Sequence, residues 1–190
     1  GHLAASLMVG LIFRFYQPKE GPNGGRTIQA QFQTASFPGA FTRAVTGALQ
    51  STLNICAFVL FFTVVIRVLA RSGLLTGAAE AIAALFSPLG MDQVWARRLL
   101  TGLLEMSSGV SSLTDGAMTG RLSMAAFMLG WAGVSVHCQV MAFLGDSGLS
   151  LRTYVVGKLL HGALSAVIVG ALARLFPLSG PVSAYLAQQT

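Results

Sequence analysis

Thr101-Gly102-Leu103-Leu104-Glu105-Met106-Ser107-Ser108-Gly109-Val110-Ser111-Ser112-Leu113 is the stretch that decides how this chain is read. Apolar residues flank it, yet it holds a carboxylate, a Ser-Ser-Gly break and then Ser111 and Ser112. An ionisable side chain at membrane depth is costly unless it faces protein or water. A helix interrupted at Ser107-Ser108-Gly109 would free backbone amides and carbonyls, which a bilayer tolerates only where they line a cavity or are buried in protein. Secondary transporters build substrate sites this way, from discontinuous helices whose ends point at the ligand. The competing reading is a soluble loop between two core helices, and composition separates them.

Of the 190 residues, 54% are hydrophobic and only 9% are charged. The mean hydropathy is +0.70. Soluble domains carry roughly 25% charged residues, so the charges here are too few to cover a surface in water. Several apolar runs also approach the roughly 20 residues a membrane helix needs. No alternating barrel-strand pattern is present, so the expected class is all-α: a polytopic transmembrane protein with broken or re-entrant helices.

The net charge of +6 does not point to nucleic acid. Its cations sit singly or in pairs at the ends of apolar runs, as Arg14/Lys19, Arg67/Arg71, Arg97/Arg98 and Arg152/Lys158 do. That is headgroup anchoring, and no basic block exists to follow a phosphate backbone. Cys56 and Cys138 lie inside apolar runs and read as buried thiols. No Cys/His zinc spacing occurs, so neither metal nor other cofactor is expected. The chain enters an apolar run almost at once, without a signal-peptide pattern. It is expected to be the C-terminal part of a longer polypeptide.

Read in order, residues 1–16 are the end of a transmembrane helix, closed by Arg14, Phe15 and Tyr16. Residues 17–37 form a polar loop, broken by Pro18, Gly21, Pro22, Gly24 and Gly25. Ala40 to Gln50 is amphipathic, with Phe41, Val45, Ala48 and Leu49 on one face, and an in-plane interfacial helix is expected there. Ser51 to Arg71 is the clearest span. Asn54 near its start is read first as interhelical glue and second as a ligand contact. Leu74 to Leu89 is too short for an independent span and fits a re-entrant or interfacial helix. Asp92 is placed to cap the next helix. Leu122 to Gly145 is a span with a polar middle of Gly130, Gly133, Ser135, His137 and Gln139, which suggests a kink or break. Tyr154 to Phe176 is the last span, and Gly162, Ala166 and Gly170 give it a small-residue face for a neighbouring helix. Lys158 near its start either snorkels to headgroups or meets ligand. Residues 177–190 are a mildly polar C-terminal tail.

Asn54-Ile55 followed by Phe61-Phe62, and then Gly102-Leu103-Leu104-Glu105-Met106-Ser107-Ser108-Gly109, is similar to the nucleoside-recognition, or Gate-domain, membrane proteins. Gly130-Trp131-Ala132-Gly133-Val134-Ser135-Val136-His137-Cys138-Gln139, followed by Tyr154 and Gly157-Lys158-Leu159-Leu160-His161-Gly162, resembles the YlbJ-like sporulation integral membrane branch. The resemblance runs from about His2 to Phe176 and makes residues 38–176 a Gate-like helical domain. Ala132 departs from it, standing where a glycine is expected. The resemblance implies one half of an internally repeated transporter-like fold, with the N-terminal half as the missing partner. It also implies recognition or transport of a small polar metabolite, a nucleoside by the family label and dipicolinate for sporulation relatives.

The leading functional expectation is a transporter or permease component of the cell membrane. Its substrate site would combine Glu105, Ser107, Ser108 and Gly109 with Ser135, His137 and Gln139, and would draw on Asn54 and Lys158. Besides lipid and the metabolite, a coupling proton or sodium ion and a homo-oligomeric state are compatible with it. The alternative is a non-transporting membrane sensor or scaffold in which the polar residues are helix–helix glue. A membrane enzyme comes third and is not expected: no Gly-x-Ser-x-Gly elbow is present.

Overall fold

The computed structural model describes residues 1–15, 36–144 and 150–176; residues 17–35 of the expected polar loop and the whole 177–190 tail lie outside these. Among the described residues every regular element is helical: α1 (His2–Phe13), α2 (Phe37–Arg71), α3 (Leu74–Phe86), α4 (Gln93–Leu104), α5 (Met106–Ser111), α6 (Met118–Trp131), α7 (Gly133–Leu144) and α8 (Leu151–Leu175). The chain is all-α, and three of its helical stretches are long and apolar enough to cross a membrane: α2, the α6–α7 run and α8.

The expected in-plane helix at 40–50 and the span from 51 are one continuous helix of 35 residues, starting already at Phe37. Pro38 sits in its first turn, where a missing N–H costs nothing. At 1.5 Å per residue α2 is about 50 Å long, well beyond a hydrocarbon core of about 30 Å. Its hydroxyls do not interrupt it, because they turn back onto the helix. Thr46 donates to the Thr42 carbonyl at 2.6 Å and Thr63 to the Val59 carbonyl at 2.7 Å. Leu60, Phe61, Val64 and Val68 are exposed along its outer face, a surface for lipid.

α3 ends in a short 3-10 turn at Ser87–Leu89, as Pro88 requires, and Gly90 with φ 79° reverses the chain. Asp92 then caps α4 by accepting from the Trp95 N–H at 2.8 Å. α3 and α4 form an antiparallel pair, joined at one end by Gln93 donating to Glu80 at 3.1 Å.

The small-residue face of α8 packs on α6. A Cβ on Gly130 would lie 2.6 Å from the Gly162 Cα, and one on Gly170 would lie 2.6 Å from the Ser123 hydroxyl. Such contacts hold the two spans at backbone distance, where dispersion and weak polar contacts replace the hydrophobic effect that lipid does not supply. α1 runs along the other side of α8, with Phe13 beside Gly157 and His2 edge-on to His161 at 5.3 Å between ring centres.

Candidate functional site

The expected break at Ser107 to Gly109 falls at Glu105 instead. Glu105 is extended (φ −143°, ψ 117°), and Ser107, Ser108 and Gly109 belong to α5. The reason is local. The Glu105 carboxylate accepts the Ser107 N–H at 2.8 Å and the Ser108 N–H at 2.6 Å, capping the new helix one residue after its own. Serine is well tolerated in the first turn behind such a cap, and weak helix formers there do not end the helix.

α5 folds back along α4 as a helical hairpin with Glu105 at its apex. A Cβ on Gly109 would fall 2.7 Å from the Gly102 N and would collide with the Gly102 Cα. At the open end, Arg98 of α4 reaches Asp115 through a carboxylate contact and donates to the Asp115 carbonyl at 3.0 Å. Its guanidinium also lies 5.0 Å from the centre of the Trp95 ring. Arg121 donates to the Leu113 carbonyl at 2.8 Å, meeting a backbone group beyond the end of α5. Both arginines thus tie the open end of the hairpin to the backbone that follows it.

The second break separates α6 from α7. Ala132 and Gly133 both have φ 77°, the left-handed region, so the helix cannot run through. The two breaks touch. A Cβ on Gly133 would lie 3.0 Å from the Met106 N and 3.3 Å from both the Glu105 Cα and the Leu104 carbonyl oxygen. Trp131 binds them together: its indole N–H donates to the Leu103 carbonyl at 3.2 Å, and its ring meets His137 edge-on at 4.3 Å. On its far side, the His137 Nδ1 shares a 3.2 Å hydrogen bond with the Tyr154 hydroxyl of α8. Trp131 and Tyr154 were not among the expected site residues, although both lie within the quoted motifs.

Glu105 is 1% exposed, Ser135 0% and His137 4%, so this crossing is an interior in a chain whose outer faces are largely open. Three polar atoms here have no hydrogen-bond partner: the Ser135 Oγ, the His137 Nε2 and the Gln139 Nε2. A buried polar atom left unpaired costs about 1–3 kcal/mol, and these three lie on one short helix, α7. Glu105 differs from them, since both of its oxygens are already engaged. Ser107 is exposed and Ser108 half-buried, with their N–H groups taken by that carboxylate.

Gln139 is half-buried, about 200° around α7 from His137 and therefore on another face. Lys158 of α8 is half-buried, and its field acts on both His137 and His2. Asn54 is not brought to the crossing. It is exposed on α2 and accepts from Gln50 at 3.2 Å one turn earlier. A cavity of about 530 Å³ lies between α4, α6 and α8, lined by Trp95, Leu99, Met124, Phe127 and Ala166 among others; none of the expected site residues borders it.

No family model matches the chain. No solved structure matches it either. Among curated proteins it is similar to the sporulation integral membrane protein YlbJ of Bacillus subtilis (strain 168), with 29% identity over 195 aligned positions that cover 88% of this chain and 46% of that protein. The chain thus spans about half the length of the curated relative it matches. The relative is an integral membrane protein by name, and this chain, with three helices of spanning length, is a multi-pass membrane protein.

Proposed function

We propose that the chain is the solute-recognising part of a membrane transporter or permease, and that a small polar metabolite binds where the two interrupted helices cross. One observation carries the reading: the Glu105 break and the Ala132–Gly133 break lie in contact, and the helix that leaves the second break, α7, carries the unpartnered Ser135 Oγ, His137 Nε2 and Gln139 Nε2. Discontinuous helices meeting at membrane depth supply free backbone ends and polar side chains to a ligand that lipid cannot solvate. Nucleoside recognition of the Gate-domain type is one substrate class that fits this chemistry. A dipicolinate-like substrate is the other, in keeping with the sporulation setting in the relative's name.

The reading involves binding and movement, not covalent chemistry. Glu105 is held by the Ser107 and Ser108 N–H groups and His137 by Tyr154, in keeping with structural and binding roles for both. Reconstituted protein in proteoliposomes tests the proposal, with labelled nucleoside and labelled dipicolinate as separate probes. Uptake that is lowered at least about tenfold by Ser135→Ala with Gln139→Ala, in variants that still insert, supports it. Binding without movement of either solute would favour the sensor or scaffold reading.

A further inference from the structure

We propose that His137, and not Glu105, is the proton-binding group of the broken-helix site. The proposal deepens the transport reading and rests on it only for what the proton is coupled to.

Sequence alone favours Glu105, the one carboxylate in the broken stretch. The geometry removes it from contention. Both oxygens accept backbone N–H groups, from Ser107 at 2.8 Å and Ser108 at 2.6 Å. A proton on this carboxylate would turn one acceptor into a donor facing an N–H group and would uncap α5. Charge-assisted bonds of this kind are about twice as strong as neutral ones. Glu105 is a fixed anion.

His137 has the opposite character. Imidazole is the side chain whose ordinary pKa, about 6.5, lies in the physiological range. The ring is 4% exposed, with Nδ1 on the Tyr154 hydroxyl at 3.2 Å and Nε2 unpartnered. Tyr154 can stand on either side of that bond, because a phenol both donates and accepts. With the phenol donating, Nε2 carries the ring hydrogen. The arriving proton then goes to Nδ1, and the hydroxyl rotates to accept it. With Nδ1–H donating, the proton goes to Nε2. Either route ends at an imidazolium whose Nε2–H points to no acceptor among the described residues, a charged donor available to a bound solute.

The surroundings make that state conditional. From α8, Tyr154 holds the ring, and the half-buried Lys158 stands one helical turn further on. From α6 comes Trp131, which does not titrate. The α4–α5 hairpin carries Arg97, Arg98 and the engaged Glu105, and α2, packed on α7, carries Arg43, Arg67 and Arg71. No free carboxylate is among them, so a second cation beside Lys158 needs an acceptor that the solute brings or a movement of Lys158 away. Proton binding is thereby tied to occupancy and conformation of the site.

Trp131 is a built-in reporter, since an imidazolium quenches a touching indole and the ring centres are 4.3 Å apart. The chain has two tryptophans, so Trp95→Phe leaves Trp131 alone. In lipid nanodiscs its emission should fall on acidification through one titration. Glu105→Gln should keep that titration and His137→Gln should abolish it. Flat emission with His137 present, or a titration that survives His137→Gln, overturns the proposal. Tyr154→Phe keeps the ring should His137→Gln not insert: a moved midpoint supports the assignment and an unmoved one overturns it. A titration in protein that moves no solute leaves the proton site standing and sinks only the transport reading.

Discussion

Gly133 of α7 lies against Glu105 of the α4–α5 hairpin, so closely that a Cβ on Gly133 would sit 3.3 Å from the Glu105 Cα and 3.0 Å from the Met106 N. The same glycine has φ 77°. Two independent demands meet at one position, a left-handed backbone and room for a neighbouring main chain. Gly133→Ala is therefore expected to cost about 1–2 kcal/mol in backbone conformation and a further increment, about 1 kcal/mol or more, in overpacking. The check is the unfolding midpoint in mixed micelles, which should fall, and the hydrogen bond between His137 and Tyr154 should break in parallel.

Its neighbour makes the opposite case. Ala132 also has φ 77°, in a region that alanine visits at a cost of roughly 1–2 kcal/mol and glycine visits freely. The family resemblance puts a glycine here, and the backbone explains why. Ala132→Gly should stabilise the protein by about 1 kcal/mol, reading as a higher midpoint in the same assay. A lower midpoint would mean that the Ala132 methyl, 8% exposed, contributes more by packing than the backbone loses by strain.

The membrane class, the helical content and the existence of both breaks were legible in the sequence, and the physical reasons are plain. Scarcity of charge excludes a soluble surface, and lipid then leaves helices as the way to pair the backbone. The small-residue face of α8 met α6 as its spacing required. Where the breaks fall was less legible. The Ser-Ser-Gly run drew attention to itself through poor helix propensity, whereas the chain turns at Glu105 because a side chain two residues ahead of Ser107 can cap a new helix. The role of Trp131 was hidden for another reason. An indole N–H seeking the Leu103 carbonyl, 28 positions earlier, is a tertiary fact without a local signal. Likewise, the amphipathic pattern over 40–50 was real, but continuity with the following span outweighed it.

The fold-back of α5 on α4 gives a matched pair of glycine tests. Gly109→Ala would drive a methyl into the Gly102 backbone, which cannot move without opening the hairpin. The expected loss is several kcal/mol, at the upper end of what overpacking produces, so the variant should fail to accumulate as inserted, protease-resistant protein. Gly47→Ala on α2 has nothing within 4 Å of the new methyl and should gain about 0.5–1 kcal/mol from helix propensity. Equal behaviour of the two would contradict the hairpin.

Removal of the Glu105 cap separates its structural role from a ligand role. Glu105→Ala leaves the Ser107 and Ser108 N–H groups without their acceptors and should cost about 1–2 kcal/mol. Glu105→Gln keeps one acceptor oxygen and should fall between alanine and the native residue. Stability ordered Glu, Gln, Ala by chemical or thermal midpoint supports the cap. A fully stable Glu105→Ala variant would show that the α5 N-terminus is satisfied by something else.

The last expected outcome concerns pH at the open end of the hairpin, outside the membrane-spanning stretches. Asp115 is held below the ordinary carboxylate range by the Thr114 hydroxyl, then by the hydrogen bond and positive field of Arg98. A carboxyl whose pKa is lower folded than unfolded contributes stability that is complete above the unfolded value of about 3.9 and is lost as pH falls through the folded one. The hairpin end should therefore loosen on acidification below about pH 4 and not on titration across neutrality. Asp115 is largely exposed, so solvent screens the pair and the effect is small in energy, but Arg98 is 8% exposed and loses its carboxylate partner when Asp115 is protonated. Hydrogen exchange at residues 112–117 reads the change locally. Native protein should show faster exchange at low pH than neutral rate scaling predicts, and Asp115→Asn should show that loosening already at neutral pH. Identical protection in native and Asp115→Asn protein at neutral pH would mean that Arg98 is held in place by Trp95 and the Asp115 carbonyl alone.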